Sequence, residues 1–286
     1  MKIFKSRLIQ SIKFFSIASC ALLSLMNSQS AYAQQAEVKL FAHRAGAHEY
    51  DENTMPAFKA CYDQGMRGFE TDVRISKDGQ LVIFHDDNLE RIVGTTGAIE
   101  EMTLADIRKL KTKKGNQIPT LDEVVAFFKD KPGVYIEFEM KTSKTTVYPD
   151  ESLKNYCDLL YKKTYSNRPA NSDYLLTSFD KRPLKYLKST YPEVDMLFIK
   201  SEGLTQQVLD EAKELGIKRI GARVEMTTRN MVLEAKKQGM TVSLWPGRSV
   251  SDFLLGVSLG SDYLCTDVPM EVTKWVKANA PEIKLK

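Results

Sequence analysis

The chain has 286 residues, 41 of them Lys or Arg against 37 Asp or Glu, for a formal net charge of +4. Lys2, Lys5, Arg7 and Lys13 lie in an opening stretch without an acid, so the remainder is near neutral and lacks the basic excess that sequence-independent nucleic-acid binding needs. With 43 % hydrophobic residues and no low-complexity linker or repeat, the rest reads as one domain with a sizeable core.

Taken in chain order, the first element is an export signal. The four cations precede a mostly apolar run from Phe14 to Met26 and then Ala31-Tyr32-Ala33, a small-x-small site that predicts cleavage after Ala33. A membrane span needs about 20 continuous apolar residues, and this run is shorter and broken by serines. Ile17-Ala18-Ser19-Cys20 resembles the lipobox of bacterial lipoproteins, which would acylate Cys20. That reading ranks second because the apolar run continues through Leu25. A periplasmic or secreted protein is expected, without stable membrane insertion.

From there, β-rich runs at 38–42, 68–73, 81–84, 134–140, 174–179, 196–199, 219–222, 241–245 and 263–266 alternate with amphipathic stretches. Helices are predicted over 54–64, 121–128, 183–189, 205–215, 230–238 and 271–278, several with Thr starts or with Gly65, Gly216 and Gly239 as stops. Such alternation over residues 34–286 predicts an α/β fold of the TIM-like (β/α)8 type, typically about 250 residues. Nine strands is one too many, and no crossover helix fits between the second and third. Asp78-Gly79 signals a β-hairpin there. With those two residues as the loop, Asp72 stands opposite His85.

Cys61, Cys157 and Cys265 are widely spaced and read as buried small hydrophobes. His43 and His85 end predicted strands, where barrel active sites are built, and are followed by Arg44 and Asp86; His48 sits in a loop and reads as solvated or peripheral. Glu70 and Asp72, two apart on a strand, share a face. Buried and unpaired they would repel, so a divalent cation is the economical way to hold them. Glu52 and Glu139 would complete an oxygen-rich site suited to Ca²⁺ or Mg²⁺ rather than zinc. Glu137, Glu139 and Lys141 share one face, and alternation alone does not choose between the glutamates. Arg44 and Lys141 suit phosphate, one as a planar fork and the other as a point charge. Together these groups make a phosphoryl-transfer constellation.

The chain resembles the glycerophosphodiester phosphodiesterases. The resemblance is carried by His43-Arg44-Ala45-Gly46, Glu52-Asn53-Thr54, Gly65, Glu70-Thr71-Asp72-Val73, Lys77-Asp78-Gly79, His85-Asp86 with Leu89 and Arg91, Pro119-Thr120-Leu121, Glu139-Met140-Lys141, Ser178-Phe179 and Thr266-Asp267-Val268-Pro269. It implies a TIM-like barrel that hydrolyses glycerophosphodiesters to glycerol 3-phosphate and an alcohol, using a divalent metal and two histidines. By motif, His43 and His85 are the acid/base pair; Glu52, Glu70, Asp72 and Glu139 are metal ligands; Arg44 and Lys141 contact phosphate; and Trp245 lines the pocket. The family pattern selects Glu139 over Glu137. Ala45 stands where the family reads Gly after His-Arg, Asp51 replaces a common Pro, and Pro246 follows Trp245 in place of Thr. These departures concern substrate identity, so the alternatives are a phospholipase D-like enzyme acting on lysophospholipid headgroups and a non-catalytic phosphodiester-binding protein.

Overall fold

The computed structural model describes residues 36–286, so the predicted leader, its Ala33 cleavage site and the Cys20 alternative lie outside the described residues. The strands in chain order are β1 (Glu37–Ala42), β2 (Gly68–Ile75), β3 (Leu81–Ile83), β4 (Tyr135–Met140), β5 (Asp173–Ser178), β6 (Met196–Ile199), β7 (Arg219–Arg223), β8 (Thr241–Gly247), β9 (Tyr263–Thr266) and β10 (Lys284–Leu285). All but β3 and β10 form a closed parallel barrel, in which β1 pairs with both β2 and β9. The (β/α)8 architecture is therefore as expected, with β3 antiparallel on β2 outside the ring.

The helices are α1 (Met55–Asp63), α2 (Leu104–Ile107), α3 (Leu121–Phe128), α4 (Asp150–Lys163), α5 (Lys181–Thr190), α6 (Gln206–Glu214), α7 (Arg229–Lys237), α8 (Val250–Leu259) and α9 (Pro269–Asn279). Most start where a short polar side chain can take an orphan N–H. Thr54, Thr205, Thr228 and Ser249 each accept one, and Thr120 forms a reciprocal capping box with Glu123; each such cap contributes about 1 kcal/mol. The barrel interior is filled by Phe41, Tyr135, Leu175, Leu197, Ile199 and Cys265, while a larger core lies between barrel and helices. All three described cysteines are free and buried.

The hairpin differs from expectation by one residue. Its loop has three residues, Lys77–Gly79, closed by Ser76 N–H to Gln80 O at 2.8 Å and Gly79 N–H to Ser76 O at 2.9 Å. Ser76 Oγ accepts from Gln80 N at 2.9 Å and donates to Asp78 at 2.6 Å, drawing Asp78 into the loop. Arg74 consequently pairs with Val82, and Phe84 N–H donates to Asp72 O, so Asp72 is opposite Phe84 and not His85. His85 lies beyond the strand, where pleat alternation no longer governs its direction. Gly79 has φ +80° with open space around it, so Gly79→Ala carries only a backbone cost. That cost is about 1–2 kcal/mol, expected as a Tm drop of roughly 2–8 °C in thermal unfolding.

Candidate active site

The C-terminal ends of the barrel strands gather the chemistry. His43 follows β1, Glu70 and Asp72 lie in β2, Glu139 lies at the end of β4 with Lys141 just beyond it, Trp245 lies in β8 and Asp267 follows β9. One cavity is lined by His43, Arg44, Glu70, His85, Glu139 and Trp245.

The backbone after β1 is bent tightly. Arg44 (φ 50°) and Ala45 (φ 59°) both adopt the left-handed region before Gly46 (φ 90°), at a cost of about 1–2 kcal/mol per non-glycine residue. Ala45 thus holds the left-handed conformation at the position where the family pattern has Gly. The bend delivers the Arg44 N–H to Glu70 Oε2 at 3.0 Å. Asn53, also left-handed (φ 57°), donates to Asp72 Oδ2 at 2.8 Å.

Glu70, Asp72 and Glu139 are all buried, and one carboxylate oxygen from each lies within 4.8 Å of the others. Lys141 Nζ is 2.8 Å from Glu139 Oε1 and 3.6 Å from Asp72 Oδ1, and Arg44 Nε is 3.7 Å from Asp72 Oδ2. Burial, with Asp72 and Glu139 alongside, raises the Glu70 pKa well above the usual carboxylate range. Burial also pushes Asp72 upward, but His85, Lys141 and Arg44 outweigh it and hold that group well below its usual range. Glu70 Oε1 and Asp72 Oδ1 remain buried without a hydrogen-bond partner. Two partnerless carboxylate oxygens in an all-oxygen donor set fit a hard cation such as Ca²⁺ or Mg²⁺.

Glu52, the fourth expected ligand, is not in this cluster, and arginines take both its oxygens. Its Oε1 accepts from Arg44 Nη1 (3.1 Å) and Arg91 Nη2 (2.8 Å), and its Oε2 from Arg91 Nη1 (2.6 Å). Glu137 sits beneath Glu139 in the barrel, hydrogen-bonded by the Tyr135 hydroxyl, and burial pushes its pKa up to about 7.

Each expected acid/base histidine is backed by a carboxylate at Nδ1. Asp267 Oδ1 is 2.5 Å from His43 Nδ1, and Asp86 Oδ1 is 2.7 Å from His85 Nδ1. These contacts favour the Nδ1–H tautomer and leave each Nε2 for proton exchange. Burial lowers the His43 pKa, only partly opposed by the Asp267 hydrogen bond. Burial tends to raise Asp267, but His43 holds it below its usual range. His48 is half exposed, 3.5 Å from Asp267 Oδ2, and so peripheral. Trp245 packs edge-on against Phe179 at 5.5 Å, under Arg223 at 5.0 Å.

Two contributors were not singled out from sequence. Asp267 appears there only inside a motif, and its signal is a carboxylate directly after a predicted strand. Arg91 forks between Asp86, at 2.7 and 2.8 Å, and Glu52. Arg91→Ala releases both carboxylates, and kcat is expected to fall about 10–100-fold, the usual scale for a supporting group. Lys restores little, because a point charge does not reproduce the fork. Steady-state kinetics on the two variants checks this.

A (β/α)8 barrel whose C-terminal mouth gathers a carboxylate triad, two carboxylate-backed imidazoles and the cations Arg44 and Lys141 is an enzyme scaffold arranged for an anionic substrate. Comparison with known proteins narrows that class. The model of the glycerophosphoryl diester phosphodiesterase family matches residues 43–271, and the chain belongs to this family. A glycerophosphodiester phosphodiesterase of Caldanaerobacter subterraneus subsp. tengcongensis is 26 % identical over 249 residues, covering 83 % of this chain and 97 % of the relative. Among solved structures, an Oleispira antarctica phosphodiesterase in complex with its product sn-glycerol-3-phosphate superposes with a TM-score of 0.74 at 23 % identity, covering 84 % of this chain and 96 % of that one. A glycerophosphodiester phosphodiesterase from Parabacteroides distasonis gives 0.68 at 22 % identity, over 86 % and 99 % of the two chains. At these identities the structural likeness is one of fold.

Proposed function

We propose that this chain hydrolyses glycerophosphodiesters to glycerol 3-phosphate and an alcohol, with a divalent cation and with His43 and His85 as the acid/base pair. The observation that carries the reading is the pair of buried, partnerless oxygens, Glu70 Oε1 and Asp72 Oδ1, beside two imidazoles with Nε2 free, in a member of this family.

Glu70, Asp72 and Glu139 would hold the cation, which when bound neutralises charge on a phosphoryl oxygen. Arg44 and Lys141, with pKa values raised against the effect of burial by the surrounding carboxylates, stay charged and bind the remaining phosphate oxygens. One imidazole takes the proton of the attacking hydroxyl at Nε2, while the other, entering the reaction as the imidazolium, gives its Nε2 proton to the leaving alcohol. Asp267 and Asp86 keep each ring in the required tautomer and stabilise the imidazolium that forms, as the carboxylate of a catalytic triad does. In this reading Glu52 supports the site by tying Arg44 to Arg91, while Trp245 bounds the pocket on the side away from the carboxylates.

The test is a coupled glycerol 3-phosphate assay on glycerophosphocholine and glycerophosphoethanolamine, with choline release measured from lysophosphatidylcholine, whose phosphate product keeps its acyl chain, each with Mg²⁺, Ca²⁺, Mn²⁺ or a chelator. Release of glycerol 3-phosphate that a chelator abolishes is expected. No release overturns the activity, and undiminished release after chelation overturns the metal requirement. Export belongs to the same proposal, resting on the Ala31-Tyr32-Ala33 site; the processed chain is expected to begin at Gln34 on N-terminal sequencing.

A further inference from the structure

Among the described residues, Cys265 is the one cysteine that lines the cavity. It lies in β9 opposite Phe41 of β1, facing the barrel interior, and lines the same cavity as His43 and Glu70. A ligand atom from each of His43, Glu70 and Cys265 lies within 4.8 Å of the other two, in a second cluster beside the all-carboxylate one. Cys61 and Cys157 have no such company: Cys61 donates its S–H to Ala45 O at 3.2 Å, and Cys157 is packed in the buried face of α4.

We propose that His43, Glu70 and Cys265 form an inhibitory site for a thiophilic divalent cation such as Zn²⁺, distinct from the carboxylate triad but sharing Glu70 with it. Zinc takes mixed sulfur, imidazole and carboxylate ligands, with three protein ligands and an open fourth position in reactive sites. Ca²⁺ and Mg²⁺ require oxygen, so the thiol separates the two clusters by metal type. His43 is already oriented as metal-binding histidines are, with Nδ1 on the Asp267 carboxylate and Nε2 on the side of Glu70, 3.8 Å from its Oε2. Glu70 Oε1 is buried and unpartnered. Bonds of about 2.0–2.3 Å place tetrahedral ligand atoms about 3.5 Å apart, so side-chain shifts of about 1 Å gather the three. Binding forms a sulfur–zinc bond, and the thiol proton, together with any proton on the Glu70 carboxyl, leaves to the buffer with no redox change. Occupancy removes His43 Nε2 from proton transfer and one ligand from the triad.

The binding does not depend on turnover, whereas the inhibition rests on the activity proposed above, so the test has two readouts. Cobalt(II) titrated into the purified protein is expected to give a thiolate-to-cobalt charge-transfer band in the near ultraviolet that one equivalent of Zn²⁺ abolishes. Cys265→Ala and Cys265→Ser, which retain Cys61 and Cys157 as internal controls, lose the band. In the glycerol 3-phosphate assay at saturating Mg²⁺, the zinc concentration for half inhibition is expected to rise at least ~10-fold in both variants. Absence of the band from the unmodified protein, its persistence in either variant, or half-inhibition within twofold of the unmodified protein overturns the proposal. If the protein proves inactive on every diester, the cobalt spectra still decide whether the site exists.

Discussion

Replacing His43 with alanine is expected to lower kcat for glycerol 3-phosphate release about 10²–10⁴-fold, the range for loss of a positioned general acid or base, and His85→Ala the same. Neither ring is held by packing alone. Each has its Nδ1 on a carboxylate, at 2.5 Å for Asp267 and 2.7 Å for Asp86. Asp267→Asn presents an amide that can donate where the carboxylate only accepts, disfavouring the Nδ1–H tautomer; it is expected to depress kcat with a smaller change in KM. A diester with an activated aryl leaving group separates the two histidines. Departure of such a group needs little protonation, so the variant lacking the acid recovers most of its rate and the variant lacking the base does not. Equal losses on both substrates for both variants would contradict the division of labour.

Much of this site was legible because its residues sit at the ends of short β-rich runs. The expected strands 196–199 and 263–266 coincide with β6 and β9 residue for residue, and the others differ by at most two residues at an end. The missing pieces have physical causes. Helix α4 buries Leu153, Tyr156, Cys157 and Leu160 at helical spacing, yet starts after Pro149 with no side-chain cap, so only the acidic Asp150-Glu151 first turn marked its start. The hairpin register turned on Ser76, whose hydroxyl closes a three-residue loop that the Asp-Gly pair alone does not specify. Alternation could not separate Glu137 from Glu139; three dimensions put one against Tyr135 and the other beside Lys141. The His43–Asp267 contact spans 224 residues, beyond the reach of local pattern.

Adding a saturating divalent cation is expected to raise the melting temperature, a measurement independent of catalysis. At a concentration 100 times its Kd, a ligand that binds only the folded state contributes about 2.7 kcal/mol, or roughly 5–11 °C for a domain of this size. Asp72→Asn should abolish most of that shift. The pH dependence has a definite sign. Because the folded-state pKa of Glu70 is raised, the cation-free protein holds a proton there that the unfolded chain releases near 4.5, so stability falls as pH rises from that value through the raised one. Asp72 acts in a lower window: its depressed pKa contributes stability that is present above about 3.8 and lost as pH falls below it. The bound cation takes the place of the Glu70 proton, so the cation-induced shift should grow with pH above 4.5. A shift independent of pH, or one retained in full by Asp72→Asn, would place the cation elsewhere than among Glu70, Asp72 and Glu139.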